Sequence, residues 1–379
     1  MVHLIDLILC GATFLLAFII FVNTNKVNTK ANQWFAVFVF CVFLLLLQNI
    51  LLYTKLLKAD NFAFELLSLS SFVIAPFFYI SVCYYVTPIR KWRILEYLHF
   101  GFAFIILVFI ILSHTVVENV KTTQIDAESV SAAEMLFYIC FSLQVIPYCI
   151  LAYLKISRHQ KNVRLLNSTV ENIDLKWLKN IIITVFIIAL FWVLDIVFNL
   201  SEKSTVFDLV SSLVYLLAIL YITFYWLKQK EIFPYTPTQK EEIESIIVET
   251  AIPKDNRKKL VSDEKLEELK IELLAVINSQ KPFLDDDLSL VKLASLLNIS
   301  SHLLSYVISK GFDENFYQFI NRYRIEEAKK RILDPTMSHL SLLGIGFEVG
   351  FNSKTVFNTT FKKVTGQTPS EFKRQNEGK

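Results

Sequence analysis

Seven apolar stretches fill residues 1–227 of this 379-residue chain, and they limit its fold more than any other feature. A helix needs about 20 residues to cross the hydrocarbon core of a bilayer, which is roughly the length of each stretch. The sequence therefore predicts an all-α fold that begins with a polytopic transmembrane bundle of seven helices. The predicted spans are Leu4–Val22, Trp34–Tyr53, Phe62–Val86, Leu95–Leu112, Glu134–Leu154, Ile181–Leu200 and Phe207–Leu227.

Composition divides the chain into two parts that meet different solvents. Hydrophobic residues make up 54% of the sequence and the mean hydropathy is +0.47, and a soluble protein of this length rarely averages so apolar. Nearly all of this excess precedes Lys228. The first stretch lacks the basic start and the small-residue cleavage site of a signal peptide, so we expect it to remain as a span.

Basic residues in the loops predict the orientation of the bundle, because the cytoplasmic loops of membrane proteins are enriched in Lys and Arg. With the N-terminus outside, eleven Lys and Arg fall in inner loops and four fall in outer loops. Seven crossings then place the C-terminus in the cytoplasm. The inner residues are Lys26, Lys30, Arg90, Lys91, Arg93, Lys155, Arg158, Lys161, Arg164, Lys176 and Lys179, and the outer residues are Lys55, Lys58, Lys121 and Lys203.

Polar residues within the spans are costly to bury in lipid and mark candidate functional positions. In the predicted orientation they lie toward the outer ends of their helices, and Pro76 and Pro147 interrupt two spans where kinks can open cavities. An acid-lined pocket facing outside is one interpretation; hydrogen bonding between helices or contact with headgroups is the other. The candidate ligand-binding residues are Glu65, Asp195, Asn199 and Asp208, and the other polar residues at that end are Asp6, Gln48 and Asn49.

No motif predicts an enzyme. The spans contain none of the H-E-x-x-H, G-x-S-x-G or paired-aspartate patterns, and the tail has no glycine-rich nucleotide-binding motif. The five cysteines lie in apolar runs without C-x-x-C spacing, which argues against a zinc site or a disulfide framework. We therefore predict no catalytic residue, no cofactor and no metal.

A polar connector follows Leu227. Thr238 and Glu241 have the spacing of a capping box, which predicts a short helix to about Glu249, and Ser262 is the predicted N-cap of a second helix. Apolar residues of that second helix follow a heptad-like spacing, which suits either the seam of a homodimer or packing onto the chain's own C-terminal domain. These residues are Leu266, Leu269, Leu273 and Val276.

From Lys281 the sequence predicts two helix-turn-helix units in tandem. In the first unit, a helix over 288–297 is followed by a tight turn and by a helix over 301–310 that Ser300 caps. A long helix over 316–333 then ends at Asp334 and Pro335. The arrangement repeats with helices over 340–349 and 353–364 around a turn at Gly350.

Charge differs between the two units. Residues 315–379 carry eleven Lys and Arg against six Asp and Glu, whereas residues 281–314 carry three against five. Because phosphate contacts release counterions from nucleic acid, we expect the second unit and the long helix to supply most of the nonspecific affinity for DNA. For the basic residues of the long helix, an ordinary solvated face is the alternative.

Four motifs between about Leu288 and Arg374 carry a specific resemblance. They are Leu290-x-x-Leu293-Ala294, Asn315-Phe316-Tyr317-x-Phe319-Ile320-Asn321-x-Tyr323-Arg324-Ile325, Glu348-Val349-Gly350-Phe351-Asn352-Ser353 and Phe357-x-x-x-Phe361-Lys362-Lys363-x-x-Gly366-x-Thr368-Pro369. Together they resemble the AraC/XylS family of bacterial transcription activators, which implies a domain that binds promoter DNA. The apolar half differs from the soluble sugar-binding sensor common in that family and looks like a membrane-tethered variant.

Transferred position by position, the resemblance implies base contacts from both recognition helices. Tyr306 and Thr359 stand where the family often has Arg, the usual partner of guanine, so we expect weaker direct readout. Gly346 stands where the family usually has Ala, which predicts a looser helix by up to about 1 kcal/mol. The candidate base contacts are His302, Ser305 and Tyr306, then Lys354, Thr355, Asn358 and Thr359; the candidate phosphate contacts by charge are Arg322, Arg324, Lys362 and Lys363.

The sequence thus predicts three domains: residues 1–230 as a seven-helix transmembrane sensor, 231–270 as a cytoplasmic helical connector and 271–379 as the DNA-binding domain. Such a protein would lie in the bacterial inner membrane, with double-stranded promoter DNA as its partner and an unidentified small-molecule or envelope signal as its input. A second copy of the chain and RNA polymerase are further candidate partners. Two alternatives remain open: a transporter-like or structural membrane protein with a vestigial tail, and a regulator released by proteolysis.

Overall fold

The structure is a computed structural model. It describes residues 2–22, 28–58, 61–87, 92, 94–119, 127–169, 174–201, 205–229 and 259–376, with side chains for all of these except residues 2, 113–119, 127–143, 195–201 and 205. The chain forms two compact units. The N-terminal unit comprises Met1–Ser157 and Leu175–Ile232, and the C-terminal unit comprises Arg158–Asp174 and Phe233–Lys379.

Long helices build the N-terminal unit. Helix α2 packs on α1 and α3, helix α7 packs on α1 and α6, and a 3-10 helix over Ile94–Phe100 leads into α4. The last turns of α5 belong to the C-terminal unit. The helices are α1 (Val2–Val22), α2 (Thr29–Tyr53), α3 (Phe62–Val86), α4 (Gly101–Asn119), α5 (Ala127–Leu166), α6 (Lys176–Ser201) and α7 (Thr205–Leu227).

Six helices of the described residues are long and apolar enough to cross a membrane, and they coincide with six of the predicted spans. They are His3–Val22, Thr29–Tyr53, Phe62–Val86, Ile94–Leu112, Lys176–Leu194 and Val206–Leu227. The remaining predicted span, Glu134–Leu154, lies within α5, whose side chains are described only from Gln144 onward. These apolar helices are consistent with a membrane protein, while the count of seven and the orientation stay predictions.

Buried polar side chains tie helices of the N-terminal unit together. The side-chain oxygen of Asn32 in α2 accepts hydrogen bonds from Trp226 Nε1 of α7, at 3.1 Å, and from the Tyr85 hydroxyl of α3. Gln48 Nε2 of α2 donates to Ser68 Oγ of α3 at 2.7 Å. Hydrogen bonds between helices satisfy such groups where water is excluded. For Gln48, this contact favours the interpretation that the residue joins helices.

Short amphipathic helices build the C-terminal unit. The first of them is α8, and the predicted domain boundary at residue 271 falls inside it. The residues of α8 that follow the heptad-like spacing pack into the hydrophobic core of this unit. This is the second of the two uses predicted for them. The predicted helix near Thr238 lies outside the described residues. The helices are α8 (Asp263–Gln280), α9 (Leu290–Leu296), α10 (Ser301–Gly311), α11 (Phe316–Leu333), α12 (Leu342–Glu348), α13 (Lys354–Thr365) and α14 (Pro369–Asn376).

The long helix α11 contributes to two hydrophobic cores. Phe319 and Ile320, near its start, pack with α8, α9 and α10, whereas Ile325 and Ala328 pack with α12, α13 and α14. A capping box begins the helix: Asn315 Oδ1 accepts from the Gln318 N–H, and Gln318 Oε1 accepts from the Asn315 N–H. Helix α11 therefore links the two helix-turn-helix units, because it forms part of the hydrophobic core of each.

Candidate nucleic-acid interface

The first helix-turn-helix unit consists of α9 and α10, which meet at an angle of 95°. The turn between them is sharp because Asn298 adopts the left-handed conformation, with φ 51°, which Asn tolerates better than most residues. Ser300 then caps α10, as predicted: its hydroxyl oxygen accepts a hydrogen bond from the Leu303 N–H at 3.2 Å. Two helices crossing near a right angle at a short turn have helix-turn-helix geometry.

The second unit repeats this arrangement with α12 and α13. Gly350 takes the place of Asn298 at the turn, with φ +95°. Gly346 in α12 packs against the ring of Phe357, and a Cβ at position 346 would lie 2.9 Å from the ring Cγ. The expectation that Gly346 loosens its helix stays a prediction, and the structure adds a second effect: the aromatic ring fills the space that an alanine methyl would need.

Helix α13 presents a basic face with hydroxyl groups. Its opposite face is buried through Phe357, Thr360 and Phe361, so helical spacing turns the remaining side chains outward. Among the described residues, no carboxylate lies within salt-bridge distance of its three lysines. The Thr359 hydroxyl donates to its own helix, at the Thr355 carbonyl oxygen. Of the predicted contacts, Lys354, Thr355, Thr359, Lys362 and Lys363 are exposed and Asn358 is half-buried.

The candidate base contacts on helix α10 are less exposed to DNA than the sequence predicted. His302 and Ser305 are half-buried, and Tyr306 is only 7% exposed. The predicted base contact by Tyr306 is thus corrected: in this conformation the ring is part of the protein interior.

Three basic side chains of α11, those of Arg322, Lys329 and Arg331, form salt bridges with carboxylates. Arg322 forms a two-pronged salt bridge with Glu314, at 2.9 Å for both Nε–Oε1 and Nη2–Oε2, which raises the pKa of Arg322. Lys329 binds Glu326 at 2.9 Å. Phosphate would have to displace these acids, so the solvated-face alternative fits Arg322 and Lys329 better than a phosphate contact does.

Arg324 is fully buried, although the sequence placed it among the candidate phosphate contacts. Its Nε donates to the Phe283 carbonyl oxygen at 2.7 Å, and its Nη2 donates to the Asp285 carbonyl oxygen at 2.7 Å. Burial lowers its pKa to about 10, against the opposing effect of the nearby Asp286 and Asp285, so the guanidinium is charged at neutral pH. This corrects the prediction, because a side chain without exposed surface does not reach phosphate.

The segment between α5 and α6 supplies further acceptors to Arg324. Arg324 Nη2 donates to Ser168 Oγ at 3.0 Å and Nη1 donates to the Ser168 carbonyl and to Thr169 Oγ1, both at 3.3 Å. The Ser168 hydroxyl in turn donates to the Leu288 carbonyl oxygen at 2.6 Å. Asn321 Nδ2 also donates to the Ser168 carbonyl, at 3.1 Å. We call Ser168 and Thr169 the latch segment and Arg324 with its partners the Arg324 hub.

The sequence did not indicate the latch segment. Leu166, which precedes it, lies in the hydrophobic core of the C-terminal unit at 5% exposure, and Asn167 forms an isolated bridge with Ser289. These contacts join residues more than a hundred positions apart. The only local signal was a short run of polar residues after a basic helix end, which is typical of many surface loops.

The candidate ligand-binding residues fall into two groups. Asp208 of α7 lines a cavity of the N-terminal unit together with Asp6 and Asn49. Glu65 lies in the first turn of α3 and is not part of that lining. Asp195 and Asn199 lie on α6, and their side chains are outside the described residues. Among the described residues, no group of His, Cys, Asp and Glu could hold a metal ion.

Residues 293–375 match a family described as "Helix-turn-helix domain". The C-terminal unit carries a helix-turn-helix domain. The match includes α10, α11, α12 and α13, and it begins within α9. The geometry of the two turns and the family match therefore agree on the fold of this region.

Part of the chain is also similar to transcriptional regulators. The chain is 35% identical over 88 residues to an uncharacterized HTH-type transcriptional regulator of Staphylococcus aureus (strain COL), covering 23% of this chain and 11% of that protein. It is 33% identical over 84 residues to the uncharacterized transcriptional regulatory protein YesN of Bacillus subtilis (strain 168), covering 22% of each chain. The chain thus matches between about a tenth and a fifth of these relatives. No solved structure matches it.

Proposed function

We propose that this protein is a membrane-bound one-component transcription regulator, in which the apolar helices sense a signal and the helix-turn-helix domain binds promoter DNA. The exposed basic face of α13 supports the DNA-binding half of the proposal, because lysines without carboxylate partners are available to phosphate. The helix-turn-helix match over residues 293–375 and the similarity to transcriptional regulators support the same half.

The contacts of the latch segment support the other half of the proposal, in which the apolar helices regulate DNA binding. Ser168 and Thr169 follow α5 and precede α6 along the chain, yet their hydrogen bonds are made to the helix-turn-helix domain. Any rearrangement of α5 and α6 therefore acts on this segment through the covalent chain. If it left its place, Arg324 would lose three acceptors in a buried site, which costs on the order of 1–3 kcal/mol for each polar group left unsatisfied.

The docked latch segment is the state we assign to DNA binding. Arg324 lies on α11, the helix shared by both units, and its guanidinium carbon lies 5.7 Å from the ring centroid of Phe351 in the second unit. Docking of the latch segment thus stabilises α11, the helix against which both helix-turn-helix units pack. A ligand that favours one arrangement of α5 and α6 would shift the docked population, since coupling requires differential affinity for two states.

Chromatin immunoprecipitation followed by sequencing, with the full-length chain in its own cells, tests the function. We expect discrete promoter peaks while immunoblotting finds the uncleaved chain in the membrane fraction. Peaks that require a shorter, soluble fragment would favour the regulator released by proteolysis. An absence of peaks from a stably accumulated chain would contradict the proposal and favour a membrane protein with a vestigial tail.

Lys362→Ala combined with Lys363→Ala is expected to weaken binding of the full-length protein to nonspecific duplex DNA. Each lysine that neutralises one phosphate contributes about 0.9 to the slope of log affinity against log salt concentration, so the slope should fall by about 1.8. Fluorescence anisotropy on a labelled duplex at several salt concentrations measures this slope.

The matched control for this pair removes the same charge elsewhere. Lys265→Ala with Lys329→Ala eliminates two lysines that bind Glu268 and Glu326, so the slope should stay near that of the unmodified protein. Equal slopes for the two double variants would mean that α13 is not the main phosphate-binding surface.

Ser168→Ala is expected to lower promoter occupancy by about threefold without changing the amount of protein in the membrane. The substitution removes the hydroxyl that joins Leu288 to Arg324, a loss of about 1 kcal/mol that shifts the docked population several-fold. Immunoprecipitation at the mapped promoters measures occupancy. Ser279→Ala is the control, because that exposed hydroxyl binds only its own helix, at the Ala275 carbonyl. Equal occupancy in the two variants would exclude signalling through the latch segment while leaving DNA binding intact.

A further inference from the structure

A cavity of about 360 Å³ opens at one end of the N-terminal unit, between α1, α2, α6 and α7. Its size lies in the range of sites for small organic molecules. Two carboxylates, Asp6 and Asp208, line it, and His3 is the one side chain of the lining with a basic group. The cavity therefore favours a positively charged guest over an anion.

The wall formed by α7 contains an unused polar group. Ser211 is 4% exposed and lines the cavity, and its hydroxyl has no hydrogen-bond partner among the described residues. A buried serine in a helix ordinarily donates to a carbonyl of the preceding turn, as Thr184 does at Asn180. The neighbouring Ser212 hydroxyl already donates to Asp6 Oδ1 at 2.7 Å. Ser211 is thus left to bind a guest.

A second, apolar compartment adjoins the first. It has a volume of about 150 Å³ and shares five residues with the acid-lined cavity: Leu9, Leu46, Asn49, Trp192 and Tyr215. Beyond these shared residues its walls are aliphatic and aromatic, with no acidic or basic side chain. The site therefore has a polar compartment with negative charge at its mouth and an apolar compartment behind it. The deeper lining includes Phe38, Val42, Ile74, Val185, Ile219 and Ile222.

We infer that this site binds a small amphipathic monocation, an amine with a short alkyl or aryl group. The ammonium would be held by Asp6, Asp208 and Ser211, and the apolar group would occupy the second compartment. The aromatic faces of Trp192 and Tyr215, where the compartments meet, suit a cation as well as an apolar chain. Binding is independent of the proposed function; only its role as the sensed signal rests on that function.

The test uses the purified full-length chain in lipid nanodiscs and four probes: n-hexylamine, n-hexanol, hexanoate and methylamine. Isothermal titration calorimetry measures binding, with empty nanodiscs as the reference for partition into lipid. We expect saturable binding of hexylamine at least about tenfold tighter than that of any other probe, since each of them lacks the charge, has the opposite charge or lacks the apolar group.

Asp208→Asn should weaken hexylamine binding at least about tenfold, because it keeps the shape but removes the charge. Ser211→Ala should weaken it several-fold and is the smaller change if Asp208→Asn fails to accumulate. Glu65→Gln is the matched control: it removes one acid from α3 outside the lining and should leave hexylamine binding unchanged.

Binding of hexanoate or hexanol as tight as that of hexylamine would overturn the inference. So would an affinity for hexylamine that neither Asp208→Asn nor Ser211→Ala changes, since hexylamine would then bind outside this lining. A separate measurement distinguishes this inference from the proposed function: hexylamine that binds as expected without changing promoter occupancy confirms the site and contradicts its sensory role.

Discussion

Arg324→Ala is expected to destabilise the C-terminal unit by about 3 kcal/mol or more. The substitution leaves the buried carbonyl oxygen of Phe283 and the partly buried carbonyl oxygen of Asp285 without their donor, and it also leaves a cavity where the guanidinium was. Arg324→Lys keeps the charge but has one donor group instead of a planar fork, so it should recover only a small part of the loss.

Pulse proteolysis in increasing urea, followed by immunoblotting for the C-terminus, measures this stability in the full-length chain. Arg374→Ala is the control, since it removes the same charge from an exposed position on α14. The salt dependence of DNA binding adds a second measurement. If Arg324 contacted phosphate, the slope for the folded protein would fall by about 0.9; we expect no change in slope. A stable Arg324→Ala protein with a reduced slope would restore the phosphate contact and contradict the buried hub.

Gly350→Ala is expected to destabilise the same unit by about 3 kcal/mol or more, for two separable reasons. Its φ of +95° is a conformation that residues with a side chain rarely adopt. In addition, a Cβ at this position would lie 2.6 Å from the Phe283 carbonyl oxygen and 2.8 Å from Arg324 Nε. The turn of the second unit is thus pressed directly against the Arg324 hub.

Gly366→Ala separates the two reasons. Gly366 also has a positive φ, +82°, but a Cβ there would meet nothing within 4 Å. That variant should lose only the conformational part, about 1–2 kcal/mol. The same pulse-proteolysis measurement compares the two. If Gly350→Ala costs no more than Gly366→Ala, the close approach to the Arg324 hub has no energetic weight.

Local rules predicted most of the helices of the C-terminal unit. Helix starts at Ser262 and Ser300 follow from hydrogen bonds within three residues of the cap, and these are readable from sequence because both partners are neighbours. The turn at Gly350 follows from the same locality. In the N-terminal half, six long apolar helices were predictable, because the length of an apolar stretch can be read directly from the sequence.

Long-range partners explain what the sequence did not predict. Arg324 lies among polar residues of α11, so its spacing resembles that of an exposed basic residue. Apart from Asn321, however, its acceptors are between 39 and 156 positions away. Likewise, the carboxylate partner of Arg322 is eight positions away and belongs to the turn before α11. Periodicity identifies which face of a helix is polar, but it does not identify which polar side chains another segment covers.

The latch segment makes the C-terminal unit discontinuous in the chain, because residues 158–174 are synthesised long before residues 233–379. A tail cut free after α7 would leave Leu166 and Ser168 behind, and with them part of a hydrophobic core and acceptors of a buried charge. The C-terminal unit therefore cannot be replaced by exchanging the residues after α7 alone. A different regulator tail joined to these apolar helices would also need a matching segment between α5 and α6.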